Sequence, residues 1–144
     1  MRWLILGVLA AAACTPKDGP LMMPGQNCLK CHSAGGEEDA PPWAAAGTLY
    51  DDPNASENQG VQGADVELTD ANGWTITLHT NQAGNFYTAE KLAFPLQAAC
   101  VNKDGRRDCM DPPVPYGGCN GCHTQPPQND APGRIALPAP GETP

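Results

Sequence analysis

The sequence has little charge, few aromatic side chains and few basic residues. Charged residues make up 17% and aromatic residues 6% of its 144 positions. Eight Lys and Arg stand against sixteen Asp and Glu, a net charge of −8. We therefore expect no nucleic-acid partner, because phosphate binding requires a basic face. The length suffices for one ordinary domain and excludes large two-domain redox enzymes.

Glycine, proline and cysteine are the abundant residues. Gly and Pro contribute 16 residues each, near the content at which disorder is suspected. This composition favours short strands, many turns and few helices. The seven cysteines are too many for an ordinary reduced protein, so their spacing has to be explained.

The first fourteen residues have the pattern of an export signal. An apolar run of ten, residues 4–13, ends in small side chains directly before Cys14. It is too short to span a bilayer, which takes about 20 residues. The pattern resembles the lipobox of bacterial lipoproteins, whose cysteine receives a diacylglyceryl group and becomes the mature N-terminus. Ala11 stands where Leu is usual, which leaves cleavage without lipid open.

We therefore predict a signal peptide over residues 1–13 and lipidation of Cys14. The mature protein is expected in the cell envelope, anchored in the membrane at a periplasmic or outer-membrane surface. Free thiols oxidise outside the cytoplasm, so each remaining cysteine is expected to be bonded.

Two copies of Cys-x-x-Cys-His carry the clearest chemistry. The first motif is Cys28-Leu29-Lys30-Cys31-His32 and the second is Cys119-Asn120-Gly121-Cys122-His123. This spacing is typical of c-type haem attachment. Two thiols on one helical turn reach the two vinyl groups of a porphyrin, and the following histidine binds the iron. We predict two covalently attached haem c groups, with thioethers at Cys28, Cys31, Cys119 and Cys122 and proximal iron ligands at His32 and His123.

Other uses of a Cys-x-x-Cys pair are a disulfide, a redox pair and half of a zinc site. A thioredoxin-like pair would need a βαβ pattern nearby, and none is visible. A four-cysteine zinc site would not require His32 and His123. Two of the three histidines of the chain nevertheless follow the cysteine pairs, which favours haem.

Cys100 and Cys109 flank a predicted hairpin. Asp104-Gly105 is a preferred two-residue type I′ loop. Counting outward from it places Cys100 opposite Cys109 at a non-hydrogen-bonded position, where α-carbons lie about 4.5 Å apart. That separation permits a cross-strand disulfide. A redox-active pair is the functional alternative.

Residues 44–110 predict an antiparallel β-sandwich. Short strand patterns occur at residues 47–50, 64–69, 74–79, 85–88 and 96–101, separated by turn signals. Trp74, Ile76 and Leu78 are expected to point inward. The predicted fold is mainly β, with a sandwich module over 44–110. Residues 14–43 and 111–144 form short haem-binding segments with little regular structure.

Two resemblances extend this interpretation. Residues 60–66, 69–73 and 81–86 resemble a carboxypeptidase regulatory-like repeat, which is a small transthyretin-like β-sandwich. Residues 22–138 resemble a family of small exported bacterial di-haem c-type cytochromes. The matching patterns are Met22-Met23-Pro24-Gly25 before the first motif and Ala131-Pro132-Gly133-Arg134-Ile135 after the second.

The haem motifs and this resemblance together predict a carrier of single electrons with redox partner proteins, and not an enzyme. Di-haem peroxidases also carry two such motifs, but they are much longer and need a distal acid/base pocket. Alternatives are a haem-based ligand-binding or sensor module and a structural subunit of a self-assembling multihaem complex.

The sixth ligand of each iron can be His, Met or absent. Met110 precedes the second motif, and Met23 precedes the first too closely to cross its own haem. Met23 would serve the other haem if the two segments pack together. His79 is a third candidate, with an exposed strand residue as its alternative. Arg134 is either a propionate contact or a solvated tail residue.

Overall fold

The computed structural model describes residues 19–37 and 39–142. The predicted signal peptide (residues 1–13) and the lipidation site Cys14 lie outside the described residues. Among the described residues, no helix has the length and apolar character needed to cross a membrane.

Seven short strands form two sheets. They are β1 (Ala45–Tyr50), β2 (Asp65–Thr69), β3 (Thr75–His79), β4 (Asn85–Thr88), β5 (Ala98–Lys103), β6 (Arg106–Cys109) and β7 (Ile135–Ala136). One sheet has the order β4-β1-β7, and the other has the order β3-β2-β5-β6. All pairs are antiparallel except β1 with β7. The predicted mainly β fold is confirmed.

The core follows the alternation of apolar residues along the strands. In β2, Val66 and Leu68 are buried while their neighbours are half-buried. They pack with Leu49 of β1, Phe86 of β4 and Val101 of β5. Strand residues at every second position point to one face, so this pattern aligns the buried set between the sheets.

The expectation that Trp74 points inward is wrong. Its side chain is 46% exposed and it precedes β3, which begins at Thr75. The N–H of Trp74 donates to the carboxylate of Asp70 in the preceding turn, which holds the residue outside the strand. Ile76 and Leu78 do pack against the core, because β3 pairs in register with β2.

The predicted hairpin and disulfide are confirmed. Asp104 and Gly105 have φ values of 52° and 79°, as a type I′ turn requires. The register pairs Cys100 with Cys109. These residues form a disulfide, with their α-carbons 4.0 Å apart. The turn geometry therefore agrees with the register that brings the two thiols together.

The segment after the second motif contributes to the β-structure. Ile135 and Ala136 pair with Leu49 and Tyr50 as a parallel edge strand. Leu137, the next residue, is buried in the core. The segment over 111–144 is thus joined to the module over 44–110 through one sheet.

Asp70 closes the turn between β2 and β3. Its carboxylate accepts hydrogen bonds from the backbone N–H groups of Asn72, Trp74 and Ala93. Burial alone would raise the pKa of Asp70, but these N–H donors outweigh it and hold the pKa below its ordinary value. The folded state therefore prefers the ionised carboxylate.

We predict that Asp70 makes folding stability depend on pH in the acid range. A lowered native pKa gives stability that is fully present above the unfolded-state value of about 3.9 and is lost as pH falls through the native value. Asp70→Asn cannot ionise, and it also loses the acceptor that faces Ala93. Denaturant unfolding from pH 7 to pH 2.5 should show that the difference in the free energy of unfolding between wild type and Asp70→Asn decreases below about pH 4. A gap that is constant over this range would contradict the assignment.

Candidate functional site

The two Cys-x-x-Cys-His motifs adopt the same backbone conformation. Each begins with a single 3₁₀ turn, Cys28–Lys30 in the first motif and Cys119–Gly121 in the second. The N–H of each motif histidine donates to the carbonyl of the first motif cysteine, at 2.9 Å and 3.0 Å respectively. Both cysteines and the histidine of each motif therefore project from one compact turn.

The two motif histidines also share one side-chain arrangement. Nδ1 of His32 lies 2.9 Å from the carbonyl oxygen of Pro41, and Nδ1 of His123 lies 3.0 Å from that of Gly133. A carbonyl can only accept, so Nδ1 carries a proton in both rings, and in the neutral form of each ring Nε2 is the nitrogen with the free lone pair. This backbone contact is the usual means of orienting a metal-binding histidine. The donor set of each motif thus fits the proximal side of a haem.

The four motif cysteines are not disulfide-bonded. The first thiol of each motif faces a carbonyl two residues earlier, that of Gln26 for Cys28 and that of Gly117 for Cys119, at 3.5 Å in both cases. The second thiols contact side chains instead. Cys31 donates to Glu37 at 3.3 Å, and the sulfur of Cys122 lies 3.4 Å from the hydroxyl of Tyr116.

The surroundings of three thiols favour the protonated form. Burial raises the pKa of Cys28, and it raises that of Cys119 to about 12. The hydrogen bond to Glu37 is the main cause of a raised pKa at Cys31. Catalytic dithiols have the opposite property, because the thiolate is the reactive form. The redox-pair alternative gains no support from these environments.

The four-cysteine zinc alternative is not supported by the geometry. Within residues 19–37 and 39–142, no three His, Cys, Asp or Glu side chains gather into a group able to hold a metal ion. A structural zinc site needs four such ligands at tetrahedral positions. The two cysteine pairs therefore do not combine into one site of this kind.

A cleft of about 540 Å³ opens beside the first motif. Its wall includes Met23, Cys28, Cys31 and His32 from the N-terminal segment, and Asn120 and Thr124 from the second motif or directly after it. This volume falls within the usual range of about 300–1,000 Å³ for cofactor sites. The two motifs therefore contribute to the same concave surface.

Trp43 is stacked between His32 and Tyr87. Its ring stacks on the imidazole of His32 with centroids 3.6 Å apart and planes 2° apart. Its other neighbour is Tyr87 of β4, at 4.2 Å and 11°. No local sequence pattern revealed this stack, because its three rings come from separate segments of the chain. The stack fixes the plane of the His32 ring.

The three candidate sixth ligands occupy different places. Met23 lines the cleft and is 60% exposed. Met110 follows β6, is 42% exposed and does not line the cleft. Nδ1 of His79 lies 2.7 Å from the carboxylate of Asp65 on an exposed face of the second sheet. The assignment of a sixth ligand to any of them stays a prediction, and of the three Met23 alone lines the cleft together with a motif histidine.

Arg134 is buried, so the solvated-tail alternative is wrong. The residue is 6% exposed, and its guanidinium lies 4.6 Å from the ring centroid of Tyr50. Nε donates to the carbonyl of Ala55, and Nη1 donates to the Tyr50 hydroxyl. No carboxylate of the described residues forms a salt bridge with it. A buried cation that lacks an anionic partner is suited to a propionate, and that contact stays a prediction.

Gly25 makes room for this guanidinium. A Cβ at Gly25 would overlap Nη1 of Arg134, and the residue has a φ of 79° that favours glycine. The Pro24-Gly25 lead and Arg134 of the C-terminal pattern thus meet in space. Their separation in sequence concealed this contact.

Comparisons with protein-family models, with curated proteins and with solved structures find no match to this chain.

We predict that Trp43 stabilises the first motif through its two stacked neighbours. An aromatic pair contributes about 0.5–1.5 kcal/mol beyond the area it buries, so Trp43→Ala should lower the free energy of unfolding by about 2 kcal/mol. Tyr87→Phe is the matched control, because it keeps the ring and removes only the hydroxyl. Urea titration of the three proteins tests this, and equal midpoints for wild type and Trp43→Ala would contradict it.

Proposed function

We propose that this protein is a di-haem c-type cytochrome that carries single electrons in the bacterial cell envelope. One observation supports it above the others. Two motifs 91 positions apart in the sequence fold into the same turn, each with two unbridged thiols and a histidine whose Nδ1 is bound by a backbone carbonyl. Haem attachment through a Cys-x-x-Cys-His motif uses free thiols and a histidine ligand, and metal-binding histidines are commonly oriented by such a hydrogen bond.

Each motif would hold its haem with residues of fixed roles. Cys28 and Cys31, and likewise Cys119 and Cys122, supply the thioethers. His32 and His123 present Nε2 to the iron, while the carbonyls of Pro41 and Gly133 hold the ring tautomer. The bound haem supplies an iron that changes between ferrous and ferric states.

The proposed role is electron transfer and not substrate turnover, with the two motifs supplying the iron ligands. The net charge of −8 favours a basic redox partner. Arg134 would balance the charge of a propionate near the N-terminal segment. Export and lipidation of Cys14 belong to the same proposal and place the protein at a membrane surface facing the periplasm or the exterior.

Intact mass and a pyridine haemochrome spectrum test the proposal directly. The full chain, expressed with its own leader in a host with cytochrome c maturation, should carry two covalent haems. Cys28→Ala/Cys31→Ala and Cys119→Ala/Cys122→Ala should each carry one, because each pair serves its own porphyrin. The same spectra report on Cys14 through a mass increment of fatty acyl chains, with Cys14→Ala as the control.

A protein without covalent haem would overturn the proposal. The decisive form of that result is bound zinc, or disulfides Cys28–Cys31 and Cys119–Cys122, in material from a host shown to mature another c-type cytochrome. Loss of both haems in either double variant would contradict independent attachment at the two motifs.

A further inference from the structure

Asn120 joins the two motifs although it lies inside the second. The side chain is 2% exposed, and its Nδ2 donates to the carbonyl of Gln26 at 2.9 Å. Gln26 stands two residues before Cys28, so this hydrogen bond links segments 94 residues apart. A buried amide needs its hydrogen bonds, because leaving one unmade costs about 1–3 kcal/mol.

Thr48 of β1 forms hydrogen bonds both with Asn120 and with the segment before the first motif. Its N–H donates to Oδ1 of Asn120, and its hydroxyl accepts from Nδ2 of Asn120 and from the N–H of Gly25. The hydroxyl then donates to Asn85 of β4 at 2.8 Å. In the part of the chain that the structure describes, every buried side-chain nitrogen and oxygen has a partner. A fully satisfied buried network of this kind is rigid.

Glycines allow the two turns to approach each other. A Cβ at Gly121 would lie 2.6 Å from the hydroxyl of Tyr116 and 3.2 Å from Nδ2 of Asn27. A Cβ at Gly118 would lie 3.3 Å from Oδ1 of the same asparagine. Asn27 immediately precedes Cys28, so its side chain fills the space between the first and second motifs.

We propose that Asn120 is a positioning residue that holds the two motifs against each other, so that the charge at one motif changes the electron affinity of the other. This inference rests on the proposed function, since the charge is that of the haem each motif would carry. Two features support it, the rigid link through Asn120 and the cleft wall that both motifs share. A charge acts more strongly across packed protein than across water, because the effective dielectric constant is lower.

Thermodynamic linkage makes the proposal quantitative. If occupancy and oxidation of the first site change the electron affinity of the second by some factor, the second must change the first by the same factor. We expect a factor of about five or more, the low end of coupling between linked sites. A tenfold factor corresponds to about 59 mV for one electron.

The experiment is a spectroelectrochemical titration of three proteins. The first is the di-haem protein, and the others are Cys28→Ala/Cys31→Ala and Cys119→Ala/Cys122→Ala, each with one haem. Because a neighbouring ferric site disfavours further oxidation, the di-haem curve should be broader than the sum of the two single-haem curves. Superposition of the di-haem curve on that sum would overturn the coupling.

The role of Asn120 is tested in the di-haem protein by Asn120→Ala and Asn120→Asp. Aspartate keeps the volume and the acceptor for Thr48 N–H, but it replaces the donor that faces Gln26. Both variants should bring the di-haem curve closer to the sum of the single-haem curves. Asn72→Asp, on an exposed turn, is the control that adds the same charge without touching a motif.

Two further outcomes are decisive. Asn120 variants that carry two haems and keep the wild-type broadening would overturn the positioning role. A wild-type protein with no covalent haem would remove the proposed function and this inference with it, whereas independent titration of two attached haems removes the inference alone. If Asn120→Ala fails to load haem, Asn120→Asp with its retained volume decides the question.

Discussion

The burial of β1 on both faces is the constraint on which the rest of the structure depends. All six residues of the strand are buried. Ala45 and Leu49 pack into the core between the sheets. On the alternate positions, Ala46 bridges to Gly118, Thr48 binds Asn120, and Tyr50 contacts Arg134. A strand of an ordinary small sandwich leaves one face to solvent. Here that face is covered by the two motifs and their flanking segments.

Because these segments cover β1, the residues that flank the motifs contribute to the packing as much as the motifs themselves do. Gly133 supplies the carbonyl that orients His123, and its neighbour Arg134 is held against Tyr50 and Gly25. A Cβ at Gly133 would lie 2.9 Å from the carbonyl of Pro53, and its φ of 127° also favours glycine. The C-terminal pattern thus contacts both motif regions, through Gly133 at the second motif and through Arg134 at Gly25 before the first. Short segments that lack a core of their own gain rigidity by binding an existing strand.

The structural features that could be predicted from the sequence are those that depend on residues close to one another along the chain. Asp104-Gly105 determined the hairpin register and with it the Cys100–Cys109 disulfide, and alternation located Val66 and Leu68 in the core. The repeated spacing of the motifs pointed to one turn geometry. The prediction for Trp74 was wrong because its N–H donates to Asp70, and the strand begins one residue later than predicted. The Trp43 stack and the Asn120 contacts join residues 11 to 94 positions apart, and no local pattern encodes such pairs.

The two motifs share a turn but not an environment, and this difference would matter for the proposed two-site electron carrier. His32 is 6% exposed and its ring is stacked on Trp43, whereas His123 is half-buried and no stacked partner for it occurs among residues 19–37 and 39–142. Under the proposed function, the two irons would face differently enclosed histidines, and burial around a redox site is one of the properties that set its potential. A duplicated local motif on an asymmetric scaffold therefore gives two sites with unequal surroundings.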